Sequence, residues 1–442
     1  MEIKLSDHFD FKKLLRFTLP SVVMMLFTSI YGVVDGFFIS NFVGKTPFAA
    51  VNFIMPFLMM VGAVGFMFGT GGSAWVAKTL GEGDSERANR NFSLFVYVSA
   101  GIGVIVAVVS IIFIRPLAQA LGAQGAMLED CVLYGIINLV VLPAYILQLE
   151  FQSYFITAEK PKLGLLVTVS AGVANMILDA LLVAVFPLGI VGAGVATAMS
   201  QVVGGVVPLF YFARENDSLL RLVKCDFDIP ALIKTCVNGS SELLNNISMS
   251  LVGMLYNIQL LKYAGENGVA AYGTIMYVSF GFAAAFIGYS IGVAPVISYN
   301  YGAANHKELR GLLRKSGVVI AVFAVSMLSL AWFMAMPLSK LFVGYDVELL
   351  AMTCNGFRVY SFAFLFMGFA IFGSGFFTAL NDGVTSAIIS FLRTMVFQTS
   401  AVMLLPLIWG INGIWISVIV AEGMAVFVSL IFLKKKQKIF HY

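Results

Sequence analysis

Charge is scarce in this chain. Only 11% of its residues are Asp, Glu, Lys or Arg, whereas 60% are hydrophobic. Average soluble domains carry about 25% charge, so a water-exposed globular fold is excluded. Cysteine is rare too: Cys131, Cys225, Cys236 and Cys354 show no CxxC spacing, which argues against a disulfide framework or a zinc site. The three histidines, His8, His306 and His441, lie in the termini or a loop. No nucleophile–base pair, metal cluster or phosphate loop can be found. An enzyme with a resident cofactor is therefore not expected. The net charge of +4 sits in loops and tail, so nucleic-acid binding is not implied. The first apolar run is too long for a signal-peptide core and no A-x-A site follows it, so it is expected to stay as a helix.

What the chain has in abundance is long apolar runs. Twelve of them are long enough to cross a bilayer: 14–40, 48–72, 92–114, 134–157, 163–186, 190–213, 231–261, 268–299, 317–337, 357–379, 385–407 and 411–433. The breaks at 187–189 and 408–410 are so short that those pairs must be tight hairpins. This is an all-α polytopic membrane protein. With the N-terminus placed inside, 21 Lys and Arg residues fall in inside segments and 4 in outside ones. Under the positive-inside rule both termini are cytoplasmic.

The chain also repeats itself at a shift of 221 residues, half its length. Gly32 matches Gly253, Gly44 matches Gly265, Gly71 matches Gly292, and Gly189-Ile190 match Gly410-Ile411. Six spans per half is an even number, so both halves enter the membrane in the same sense and the repeat is parallel. The expected organisation is an N-lobe at 1–213, a charged cytoplasmic linker at 214–230, a C-lobe at 231–433 and a basic tail at 434–442. Such architecture usually means a transporter with its site between the halves.

Two acids stand out within the runs. Asp35 lies in LLRFTLPSVVMMLFTSIYGVVDGFFISNFVG, and Asp179 in the run 163–186, with Asn175 four residues earlier on the same helix face. A carboxylate in hydrocarbon costs about 2.5–3.5 kcal/mol on insertion scales, and is retained mostly where it faces a cavity. An acid close to a helix end can instead reach the interface, and Asn175 and Thr197 can serve as ordinary interhelical hydrogen-bond partners. Asp35, Asp179 and Thr197 all fall at the outer depth of their helices, so the residues favour one shared ion pocket. Carboxylate, amide and hydroxyl oxygens suit Na⁺, and a carboxylate pair in low dielectric suits H⁺; the pattern does not separate them. The second half lacks the pair: Tyr256 stands opposite Asp35 and Ser400 opposite Asp179.

Further polar groups lie in the fourth span (Tyr134, Gln148, Glu150, Gln152) and the seventh (Glu242, Asn245, Asn246). Each has two readings, as interhelical glue or as cavity lining. Arg358, Arg393 and Glu422 are intramembrane charges for which mutual pairing is the simplest account. Met and Phe facing a cavity would suit varied apolar ligands.

Several stretches together resemble the multidrug and toxic compound extrusion (MATE) transporters: PSVVMMLFTSIYGVVDGFFISNFVG, AKTLGEGDSERANR, NMILD, PLGIVGAGVATAMSQ, SELLNNISMSLVGMLYN, SYNYGAANHKELR and SGFFTALND. The resemblance covers essentially the whole chain. It implies a V-shaped pair of six-helix lobes in the plasma membrane, acting as a monomer and exporting small organic cations against H⁺ or Na⁺. It places the ion-coupling residues, and any Na⁺, on Asp35, Asn175, Asp179 and Thr197. It puts fourth-helix polar positions on Tyr134 and Gln152, and a bending proline on Pro20. Glu242, Asn246 and Tyr256 complete the candidate substrate cavity. NorM-like members carry an acid about eight residues after a proline at the start of the seventh span. Here Ser241 and Glu242 stand there instead, so the chain looks closer to the DinF and MepA-like branches. The rival readings are a flippase for a lipid-linked precursor and an exporter of one specific metabolite.

The Lys and Arg distribution generates a topology test. A cysteine placed at Ser218, in the 214–230 linker, is expected to resist a membrane-impermeant thiol reagent added outside intact cells; ready labelling there contradicts the orientation.

Overall fold

The computed structural model describes residues 3–442, apart from the Lys45 side chain. Met1 and Glu2, which begin the expected N-lobe, and the Lys45 side chain, counted on the outside face, lie outside the described residues. The described chain is predominantly helical, with no strand among the described residues. By its contacts it divides into two compact units.

The first unit holds the residues up to Asp7 and Phe27–Gly239. Its helices are the second half of α1 (Phe11–Phe38), α2 (Lys45–Phe66), α3 (Ser73–Gly81), α4 (Ser85–Ala120), α5 (Gly125–Val140), α6 (Leu142–Thr157), α7 (Pro161–Asp179), α8 (Gly189–Ala213) and the first turns of α9 (Ile229–Gly302). The second unit holds His8–Leu26 and Ser240–Tyr442. It contains the rest of α9, then α10 (His306–Val343), α11 (Val347–Ser361), α12 (Phe364–Ala379), α13 (Gly383–Phe391), α14 (Thr399–Leu404), α15 (Pro406–Trp409) and α16 (Ile411–Phe440). Among the described residues nine helical stretches are long and apolar enough to cross a membrane, or eleven when each of two bent pairs counts as one span. The 74-residue α9 is itself broken at Gly265, whose φ of 61° leaves the helical region, and this break supplies the twelfth. Several helices outrun their apolar sequence, because polar turns such as Ser85–Asn91 continue the helix beyond the hydrocarbon.

The repeat has a backbone cause. Four glycines with positive φ fall in register at the 221-residue shift: Gly44 with Gly265, and Gly189 with Gly410. The third span of each half begins at a side-chain cap, Asp84 accepting from the Arg87 amide and Asn305 from the Glu308 amide. The fourth span of each half is bent, by 60° between α5 and α6 and by 51° between α11 and α12. The linker lies along α4 of the first unit: the Asn89 side chain accepts from the Arg221 amide at 2.6 Å and the Ser93 hydroxyl from the Val223 amide at 2.8 Å. Lys160 reaches Asp217 at 2.8 Å and holds that carboxyl below its usual range.

Each unit buries its own apolar cluster. In the first, Ile39, Ile54, Ala107, Ile114, Tyr134 and Val183 pack together; in the second, Tyr256, Ile275, Phe357, Phe364 and Trp415 do so. Large apolar chains such as Ile105, Phe333 and Leu407 lie exposed on helix faces. Such faces are a liability in water and are solvated by lipid.

Gly410 separates backbone strain from packing, since nothing lies within 4 Å of the position a Cβ would take. Its φ of 55° with ψ of −135° costs a side-chain-bearing residue about 1–3 kcal/mol. Gly410→Ala is therefore expected to lower the thermal unfolding midpoint in detergent, while Gly423→Ala, inside a helix and equally free of neighbours, does not. Equal midpoints for Gly410→Ala and the parent would contradict the strained-hairpin account.

Candidate functional site

The first unit brings the sequence-predicted quartet together. Asp35 is on α1, Asn175 and Asp179 one turn apart on α7, and Thr197 on α8. The Asp35 carboxyl interacts with the side chains of Asp179, Asn175 and Thr197. Asp179, Asn175 and Asp35 are 0%, 2% and 8% exposed. Yet Oδ1 of Asp35, both carboxylate oxygens of Asp179 and both polar atoms of Asn175 are buried without a hydrogen-bonding partner. No Lys or Arg is among the groups acting on either acid. Buried polar groups are ordinarily satisfied, and two unbalanced carboxylates side by side repel one another. A proton or small cation bound between them removes both costs.

Local sequence explains the convergence. A Cβ at Gly172 would lie 2.5 Å from the Phe27 ring and 2.8 Å from that of Tyr31, so glycine there lets α7 close on α1. Both acid-bearing helices then widen into π turns, Ile39–Val43 after α1 and Ala180–Val185 directly after Asp179. These two turns pack against each other. Single π turns inside α-helices occur often at functional sites. Thr197 is half-buried; its hydroxyl bonds the Ala193 carbonyl at 3.1 Å and lies 3.5 Å from the Tyr134 hydroxyl. Tyr134 is fully buried on α5 and acts on the same acids. Tyr31, which sequence reading did not single out, also borders Asp35; its spacing of one turn before Asp35 was the available signal.

The remaining candidates are dispersed. Gln152 is buried on α6. Pro20 is buried in the half of α1 that belongs to the second unit. There its neighbour Ser21 lies against Gly288 and Gly292. In α9, Glu242 and Asn246 are half-buried, and the Asn246 amide donates to the Glu242 carbonyl at 2.8 Å. Tyr256, the counterpart of Asp35, is satisfied: its hydroxyl is 2.7 Å from that of Ser417, and its ring stacks on Tyr272 at 5.0 Å. Arg393 and Glu422 pair through contacts of 2.9–3.0 Å. Arg358 takes no part and lies over the Trp332 ring, 5.7 Å from its centroid. Among the described residues no three His, Cys, Asp or Glu side chains gather as a metal cluster.

Comparison with known proteins bears on this geometry. The MatE family model matches the chain twice, over residues 20–181 and 243–403. The multidrug export protein MepA of Staphylococcus haemolyticus (strain JCSC1435) is 26% identical over 422 residues, covering 95% of this chain and 92% of that protein. MepA of Staphylococcus aureus (strain NCTC 8325 / PS 47) is 24% identical over 425 residues, covering 95% and 93%. Among solved structures, an outward-facing multidrug resistance MATE transporter of the MOP superfamily superposes with a TM-score of 0.92 at 21% identity, covering 98% of this chain and 97% of that one. A MOP superfamily transporter from Pyrococcus furiosus Vc1 (DSM3638), described with a binding pocket of reverse polarity, also reaches 0.92 at 21% identity, covering 98% of each chain. These structural likenesses bear on the fold.

An ion in the pocket should stabilise the protein by linkage, by about 2.7 kcal/mol at 100 times its dissociation constant. Raising Na⁺ at fixed pH, or lowering pH at fixed Na⁺, is expected to raise the parent's unfolding midpoint. Asp179→Asn is expected to lose the Na⁺ response and to weaken the pH response. The same rise in both proteins would place the ion elsewhere.

Proposed function

The chain belongs to the MatE family, and from that premise we propose that it is a multidrug efflux antiporter, exporting lipophilic organic cations in exchange for H⁺ or Na⁺. The observation that carries this reading is the quartet of buried Asp35, Asn175 and Asp179 with half-buried Thr197, whose acids interact with each other and with no Lys or Arg. In this reading a proton is held by one of the two acids. A Na⁺ ion is instead held by oxygens of all four side chains, as a hard cation requires. Tyr134, Gln152, Glu242, Asn246 and Tyr256 contribute to substrate binding, and Pro20 is the point where α1 bends. The chain acts as a monomer in the plasma membrane with both termini in the cytoplasm. It works without a cofactor and is not an enzyme. The MepA names of the curated relatives support multidrug export.

A cationic rather than anionic substrate is supported by how the two intramembrane arginines are engaged. Arg393 is held by Glu422 and Arg358 sits exposed over Trp332, which leaves neither as a buried, unbalanced receptor for an anionic headgroup. Energetically, one cation moving inward through 100 mV supplies ~2.3 kcal/mol, enough for a roughly 50-fold gradient of a neutral compound. A monovalent drug leaving against the same potential cancels that contribution in one-for-one exchange. Its export then draws on the ion's concentration gradient, unless two ions enter.

In everted vesicles with pH and Na⁺ gradients imposed separately, ethidium transport should follow one of the two. Asp35→Asn and Asp179→Asn are each expected to abolish that dependence with expression retained. The double variant should be no worse than either single one, because residues acting as a unit are non-additive. Parental transport in either single variant would reject the pocket as the coupling site.

A further inference from the structure

A second carboxyl is sealed inside the first unit, and the quartet does not use it. Glu150 on α6 is 0% exposed. Its Oε2 accepts from the Ser99 hydroxyl of α4 at 2.5 Å, while Oε1 is buried with no partner. The Tyr154 hydroxyl, one turn further along α6, lies within the electrostatic reach of that carboxyl and is likewise buried and unpartnered. The surroundings are aromatic: Phe92 packs 4.8 Å from the Tyr154 ring and 6.5 Å from that of Phe151, and Phe68 lies 6.5 Å from Phe95.

Among the described residues no basic side chain acts on the Glu150 carboxyl. The π turn Met67–Gly72 that backs onto Glu150 at Gly69 carries no ionisable side chain. No charged group on the other helices packed on α6 is among those that act on that carboxyl. Lys78 lies over Trp75, Arg115 pairs with Glu129, Tyr211 bonds Asp217, and Asp179 belongs to the quartet. Ser99 is the one side chain that acts on the Glu150 carboxyl. An isolated carboxylate with one hydroxyl donor in such a wall costs several kcal/mol, and a bound proton removes that cost with no counter-ion. The site is not duplicated, since at the 221-residue shift Glu150 and Ser99 correspond to Ile371 and Ile320.

We propose that Glu150, with Ser99 and Tyr154, is a second proton-binding site of the first unit, separate from the Asp35–Asp179 pocket, which gains and loses its proton during transport. The glycine-rich π turn gives the proton a mechanical consequence. Gly71 abuts Thr235 and Gly239 of α9, and the Asn238 amide donates to the Gly71 carbonyl at 3.3 Å. This is the stretch of α9 that ends the first unit, before Ser240 begins the second. Charging Glu150 draws donors or water toward α6 and presses on the turn against which α9 is seated. The role in transport rests on the antiport reading; the proton binding itself does not.

Infrared pH titration of the full chain in lipid nanodiscs separates the two. The parent minus Glu150→Gln difference is expected to contain one protonated-carboxyl stretch that titrates reversibly. Ser99→Ala should shift that band, by removing its hydrogen bond, and Asp35→Asn should leave it in place. In vesicles Glu150→Gln is expected to retain ethidium binding and to lose the pH dependence of efflux. Absence of the band at every pH, or a band that persists unchanged at every pH, overturns the proposal, as does a parental efflux pH profile in Glu150→Gln. Should Glu150→Gln fail to fold, an unshifted spectrum in Ser99→Ala overturns it alone. Failure of Asp35→Asn to alter coupling would count against the quartet and leave the Glu150 band as it is.

Discussion

The first unit is organised around two acids that face each other in an apolar helical interior without a basic residue to balance them. Coulomb repulsion and desolvation both oppose that arrangement. Its persistence requires helices held close by other means, and the local sequence provides them. Gly172 lets α7 approach α1, the two π turns pack past the acids, and Tyr134 closes the floor from α5. For an ion bound there, relief of that repulsion contributes to the binding energy. By reciprocity, whatever that ion does to the affinity for a substrate, the substrate does to the affinity for the ion.

The second unit meets the same constraint in the opposite way. Where the first has Asp35, it has Tyr256, bonded to Ser417 and stacked on Tyr272. Its buried acid Glu422 is closed by Arg393 in a bidentate pair. Serine and threonine hydroxyls satisfy one another nearby, as in Ser374 with Ser386 and Ser390 at 2.8 Å. An acid paired in this way is insensitive to ions, whereas one with unpaired oxygens is responsive. Among the described residues, parallel repeats that share a backbone plan thus differ in which of them leaves buried carboxylate oxygens unsatisfied.

Much of this was legible in the sequence, for physical reasons. A bilayer demands long apolar helices, so the spans and their parallel repeat stand out; the shared glycines are the positions where both halves need positive φ, at Gly44 and Gly265 and at Gly189 and Gly410. Asp35 and Asp179 were visible because charge in hydrocarbon is costly. The π turns were not, since an apolar run has the same hydropathy whether its bonds close over four residues or five. The bends inside the fourth and tenth spans were hidden for the same reason. The Ser99–Glu150 bond joins positions 51 residues apart, and no periodicity reports such a pairing. Mutual pairing among the intramembrane charges described Arg393 and Glu422, while Arg358 took an aromatic partner on α10 instead.

The most direct test is a count of ions displaced when a drug binds. With purified protein in weakly buffered nanodiscs, a pH indicator and a sodium electrode can follow the addition of ethidium. If the quartet holds the coupling ion, the parent displaces H⁺ or Na⁺ on binding, and both Asp35→Asn and Asp179→Asn displace neither at the quartet. Displacement by the two variants equal to that of the parent would contradict the quartet's role.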